Sequence, residues 1–130
     1  VDEEALQQTM QTNLIGPVLL SQQLISLLQK SSEGRIVNVS SFLGALSHMN
    51  QNYTVYRLSK AALNAFTLHL STEYPDLIIN SCHPGHVQTD MGGASAPRSI
   101  EKGAETPVFL ATAPNLPSGK FYFDKEVTDW

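Results

Sequence analysis

Cysteine is almost missing from these 130 residues: Cys82 stands alone. A single cysteine cannot close an internal disulfide, and its neighbours Ile78 and Ile79 point to a buried thiol in a reducing compartment. Basic residues are also scarce. Eight Lys and Arg against twelve Asp and Glu leave a formal charge of −4 with no basic run, which excludes a surface built to neutralise phosphates and argues against a nucleic-acid partner. No apolar run approaches the ~20 residues that a membrane-spanning helix needs, and the segment Val1 to Glu4 is acidic where a signal peptide would be basic. The reading is a cytoplasmic protein with no membrane partner. Two further absences concern the chain's start. There is no initiator methionine, so the chain reads as cut, and no Gly-x-Gly-x-x-Gly or Gly-x-x-x-Gly-x-Gly turn occurs; the first glycine is Gly16.

What is present suits one ordinary domain, because 42% hydrophobic content over this length is enough to bury a core. From Glu3 to about Lys30 the residues Leu6, Met10, Leu14, Val18, Ile25 and Leu28 recur at helical steps and predict one buried stripe on a long helix interrupted near Gly16-Pro17. Turn chemistry at 31–34 precedes a buried strand over Arg35 to Ser40, rich in β-branched residues. A loop from Phe42 to Asn52 leads into a helix from about Thr54 to Tyr74, closed by Pro75. Leu77 to His83 predicts a second strand, ended by Pro84-Gly85. A flexible segment runs to Arg98, a helix occupies about Ser99 to Ala111, and Lys120 to Phe123 forms a last strand. Helices alternating with short apolar strands define an α/β protein with a parallel sheet covered on both faces. In such sheets ligands sit beyond the carboxyl ends of the strands, which puts Ser40-Ser41 and Pro84-Gly85 on one rim.

Several residues there can do chemistry. Tyr56 and Lys60 lie four apart on the helix, hence on one face about a turn (~6 Å) apart, where a fixed ammonium favours the ionised form of a phenol and makes it usable as an acid or base. A solvated surface pair is the bland alternative. Tyr53-Arg57 repeats the spacing, but Arg57 stays protonated and faces elsewhere, so it serves poorly in proton relay. Ser40 and Ser41 deliver two hydroxyls fifteen or sixteen residues before Tyr56; either orients a substrate oxygen or merely caps the strand end. In Pro84-Gly85-His86-Val87-Gln88-Thr89 the glycine permits close backbone approach and the Thr89 hydroxyl can clasp an amide. Pro17 lacks the N–H that would bond the Asn13 carbonyl, which therefore needs water or another donor. His83 and His86, like His48 and His69, have no partners at metal-ligand spacing and read as packing or solvent contacts.

Four segments in order, Asn13-Leu14-Ile15-Gly16, Asn38-Val39-Ser40-Ser41, Tyr56-Arg57-Leu58-Ser59-Lys60 and Pro84-Gly85-x-x-x-Thr89-Asp90, resemble the short-chain dehydrogenase/reductase family over essentially the whole chain. The tail, from Thr89 to Trp130, is similar to its carbonyl-reductase branch. The resemblance implies the C-terminal half of a Rossmann-like doubly wound sheet, with residues 1–130 a partial domain lacking the N-terminal Gly-rich cofactor-binding half. It implies a catalytic tetrad of Asn13, Ser41, Tyr56 and Lys60. Tyr56 would protonate a carbonyl oxygen as hydride arrives, and Lys60 would hold the nicotinamide ribose. The Asn13 carbonyl would anchor a water that reprotonates Lys60, and Asn38 would brace neighbouring backbone. Tyr56, Lys60, Pro84, Gly85, Val87 and Thr89 would contact the cofactor. The expected cofactor is NADP(H) in preference to NAD(H), and the expected substrate a small carbonyl compound or alcohol. The Ser41-to-Tyr56 interval is about two residues longer than the family's usual one, which leaves Ser40 and Ser41 both open as the catalytic hydroxyl. A non-catalytic interaction module derived from the same family is the second reading.

Overall fold

A computed structural model describes all 130 residues. Helix α1 (Glu3–Met10) begins on Asp2, whose carboxylate accepts the Ala5 N–H at 2.9 Å, with Glu3 and Glu4 placed favourably at the positive helix end. A five-residue π-turn, Gln11–Ile15, separates it from α2 (Gly16–Leu28). The interruption expected at Gly16-Pro17 thus begins one turn earlier, with the Gly16 N–H reaching back to the Gln11 carbonyl. A π-turn accommodates the register change that Pro17 forces at the start of α2. The buried stripe is narrower than its periodicity suggests. Of the six apolar residues that define it, only Ile25 is fully buried, while Leu19, Leu20, Leu24 and Leu27 are exposed.

The sheet order is β1 (Arg35–Val39), β2 (Ile78–Cys82), β3 (Phe121–Phe123) and β4 (Glu126–Thr128). The first three strands are parallel, with Arg35 opposite Ile78, Val39 opposite Cys82 and Ser81 opposite Phe121. The antiparallel fourth, absent from the sequence reading, follows a two-residue turn in which Asp124 and Lys125 both have positive φ, 47° and 68°. That is the backbone of a hairpin turn usually signalled by Asn-Gly, and Asp-Lys hides it.

Helices cover both faces. On one, Ile25 of α2 and Leu70 of α3 (Thr54–Glu73) pack with Leu77 and Ile79. On the other, Leu110 of α4 (Ile100–Thr112) meets Cys82 and Tyr122. Burial there pushes the Cys82 thiol up to about 12, so it stays protonated. Near their carboxyl ends β1 and β2 are tied to α3 by polar side chains. Asn38 donates to Thr67 Oγ1 at 2.9 Å, and Ser81 Oγ lies 2.9 Å from Asn64 Oδ1 and 3.1 Å from the Asn38 carbonyl. Asn38 therefore ties β1 to a side chain of α3, where the sequence reading had it bracing backbone. No helix is long and apolar enough to cross a membrane.

Candidate active site

Beyond the carboxyl ends of β1 and β2 lies a cavity of about 1160 Å³ whose lining includes Ser41, Tyr56, His83, Gly85, Thr89 and Phe123. Two connections frame it. The one after β1 makes two short 3₁₀ turns, Phe42–Gly44 and Leu46–His48, and the one after β2 makes the Pro84-Gly85 turn. The first is held by Arg57, only 4% exposed, whose guanidinium donates to the carbonyls of Asn52 (2.7 Å), His48 (2.9 Å) and Leu43 (3.3 Å). The residue that the sequence reading set aside as a decoy is thus the clamp of the loop that carries Ser41.

The two candidate hydroxyls have different surroundings. Ser40 is buried and donates to the Lys60 carbonyl at 3.2 Å. Ser41 accepts the Leu43 N–H at 3.1 Å, capping the first 3₁₀ turn, and donates to no protein group, so its O–H remains available toward the cavity it lines. Tyr56 lines the same cavity, and its hydroxyl has no hydrogen-bond partner within the protein.

Lys60 is half-buried behind the Tyr56 ring, its ammonium 5.8 Å from the ring centroid and donating to the Val39 carbonyl at 3.0 Å. Burial holds the Lys60 pKa below the usual lysine value. Asn13 sits on the far side, sharing with Lys60 a second cavity of about 700 Å³ between α2 and β1. Its side-chain amide donates to Ser59 Oγ at 3.0 Å, and Ser59 in turn donates to the Tyr56 carbonyl at 2.8 Å. The structure therefore brings Ser41 and Tyr56 together in one cavity and Asn13 and Lys60 together in the other, with Val39 lining both.

Pro84, Gly85, Val87 and Thr89 join the first cavity. Gly85 takes φ +78°, and a Cβ there would come within 2.6 Å of the Arg98 side chain, so both the turn and the approach of Arg98 require glycine. The Thr89 hydroxyl accepts the Gly92 N–H at 3.1 Å. The segment expected to be flexible is pinned instead. Val87 forms a bridge to Arg98, Gln88 Nε2 donates to the Ala96 carbonyl at 2.8 Å, and His86 Nε2 donates to the Gly92 carbonyl at 2.7 Å. Arg98 pairs with Asp124 of the β3–β4 turn, closing the segment onto the sheet.

The sequence reading missed the weight of aromatic side chains beneath this rim. His83 stacks on Phe123 with ring centroids 4.3 Å apart and planes 7° apart, Phe42 meets it edge-on at 5.7 Å, and the Arg98 guanidinium lies 5.0 Å from the Phe123 ring centroid.

Residues 1–99 match the short chain dehydrogenase family model, and the chain belongs to that family. It is 31% identical over 167 residues to (+)-neomenthol dehydrogenase of Capsicum annuum, an alignment covering 96% of this chain and 53% of that protein. It is 30% identical over 170 residues to carbonyl reductase (NADPH) 1 of Bos taurus, covering 94% of this chain and 61% of that one. Among solved structures, the carbonyl reductase Sniffer of D. melanogaster superposes on the whole chain with a TM-score of 0.89 at 31% identity, over 59% of its own length. The chain spans between half and three fifths of the length of these relatives.

Proposed function

We propose that residues 1–130 form the catalytic half of an NADP(H)-dependent oxidoreductase that interconverts a carbonyl compound and its alcohol, with Tyr56 as general acid and base. The observation that carries this reading is the meeting of the Ser41 and Tyr56 hydroxyls, neither committed as a donor to the protein, in one cavity with a half-buried ammonium behind the phenol ring. The reduced nicotinamide, when bound, supplies the hydride. Ser41 donates a hydrogen bond to the substrate oxygen and fixes it beside Tyr56. Tyr56 gives its phenolic proton to that oxygen as negative charge develops, and Lys60 stabilises the charge left on the phenol. In the oxidative direction the same groups act in reverse.

The residues present fit a nicotinamide end: Pro84-Gly85 turns the chain at the cavity wall, and Val87 and Thr89 offer backbone and hydroxyl groups suited to an amide. Lys60 would hold the ribose. Asn13, across the second cavity from Lys60, would keep a water by which the lysine regains a proton. Preference for NADP(H) draws on the bovine relative, whose name specifies NADPH.

The test is Tyr56→Phe against Tyr53→Phe in a catalytically competent protein bearing this sequence. Tyr56→Phe removes one oxygen and keeps the ring, so turnover should fall by roughly 10²- to 10⁴-fold with cofactor affinity retained. Tyr53→Phe should lower turnover far less, because Tyr53, although it also lines the cavity, is 71% exposed at the helix start. Near-normal turnover of Tyr56→Phe by steady-state kinetics refutes the assignment.

A further inference from the structure

Of the three ionisable side chains lining the Ser41–Tyr56 cavity that the reaction above leaves unused, Tyr53, His83 and His86, only His83 is buried. It is only 5% exposed, and neither ring nitrogen has a hydrogen-bond partner in the protein; Nδ1 is fully buried. Such a group is expensive to leave unpaired, and phenylalanine would stack on Phe123 equally well without that penalty. Its position is also fixed relative to the chemistry. The Ser40 N–H donates to the Cys82 carbonyl at 2.7 Å and Val39 pairs with Cys82, so the register sets His83 about one strand spacing (~4.8 Å) from Ser40, the residue before Ser41. Stacking between Phe123 and the Phe42 edge holds the ring in place.

Resting on the reductase reading of this site, we propose that His83 is a specificity-determining residue that hydrogen-bonds a second polar group of the substrate, close to the reacting carbonyl. The favoured substrates are thus carbonyl compounds with a neighbouring hydroxyl or carbonyl, rather than simple ketones or aldehydes. A neutral imidazole offers one donor and one acceptor; with Nδ1 fully buried, Nε2 is the nitrogen left for a substrate hydroxyl, which can donate to it or accept from it. Burial, reinforced by the Arg98 charge, holds His83 far below its ordinary pKa, at about 4, which keeps the ring in that neutral form.

Phenacyl alcohol and acetophenone, which differ by one hydroxyl next to the reacting carbonyl, are the probes. In a catalytically competent protein bearing this sequence, His83→Phe should lower the ratio of kcat/KM for phenacyl alcohol over acetophenone about tenfold, the scale of one lost hydrogen bond. The kcat/KM for acetophenone should fall much less than that for phenacyl alcohol, with Tm kept or raised. His83→Gln, which retains a donor and an acceptor, should recover part of the ratio. A parallel loss on both ketones, a lowered Tm with the ratio intact, or no change in the ratio for either variant would overturn the proposal and leave His83 a packing residue. Failure of the underlying reading registers separately, as acetophenone turnover that survives Tyr56→Phe, and it removes the ground for this proposal as well.

Discussion

At the rim, polar side chains are buried and committed: Arg57 holds three carbonyls, Ser40 the Lys60 carbonyl, Asn38 the Thr67 hydroxyl, and Ser81 sits between Asn38 and Asn64. On the outer flank, made by α2 and the free edge of β1, Leu20 and Leu27 are 61% and 60% exposed and a cavity of about 700 Å³ lies between helix and strand. Both regions belong to one sheet, yet one is fixed by directional bonds from several elements and the other by little beyond Ile25. Position at the rim is over-determined, so a substitution there disturbs several elements at once. Within residues 1–130 a side chain on the flank has few neighbours.

Arg57→Met would break that contrast most strongly. It keeps the aliphatic stem but strands three carbonyls, and should lower unfolding free energy by about 3 kcal/mol and release the loop at 42–52. Urea denaturation should report it; a loss under about 1 kcal/mol would mean the clamp is redundant.

The next effect is acid sensitivity at the rim. Because His83 is held at about 4, against 6.5 in an unfolded chain, by burial first and Arg98 second, with His48 adding and Asp124 opposing, the unfolded state binds more protons between those values. Stability should therefore be full above about pH 6.5 and fall as pH drops toward 4, by up to about 3 kcal/mol, and then level off. His83→Phe should flatten that limb in unfolding curves taken across the interval. An unchanged limb would assign the acid response elsewhere.

The smallest expected effect sharpens the other side of the comparison. Leu20→Gln, on an exposed position, should change stability by no more than about 0.5 kcal/mol. A loss well beyond that, by thermal unfolding, would show that Leu20 is covered in solution.

The helices, three of the four strands and the rim position of Ser41, Tyr56 and Pro84-Gly85 were legible because each left a local mark: the Tyr56-Lys60 spacing, paired serines at a strand end, and a proline followed by a glycine. What stayed hidden depends on contacts between distant segments. The periodicity of Leu6 through Leu28 is real, but period alone does not say how much of a stripe another element covers. Strand β4 needed a turn whose positive φ values sit on Asp124 and Lys125 rather than glycine. The role of Arg57 could not be read from helix spacing, because its three acceptors come from a loop preceding the helix. His83 looked like ordinary strand-end packing, and its stacking on Phe123 bears that out. Only the missing partner for its nitrogens, visible once Phe42, Phe123 and Arg98 surround it, gives it a second meaning.

Gly44 contributes no functional group, yet a Cβ built on it would stand 2.7 Å from both the carbonyl carbon and the Cβ of Lys60. The loop leaving Ser41 therefore rests directly on the backbone turn that carries the lysine, with the thickness of a hydrogen atom as the spacer. Residue 44 works as a gauge block: it sets the gap between the strand that presents the serine and the helix that presents the tyrosine and lysine. Any larger residue would widen that gap and misalign groups it never touches, so a mutational scan read by activity alone would rank this bare position beside the residues that move protons.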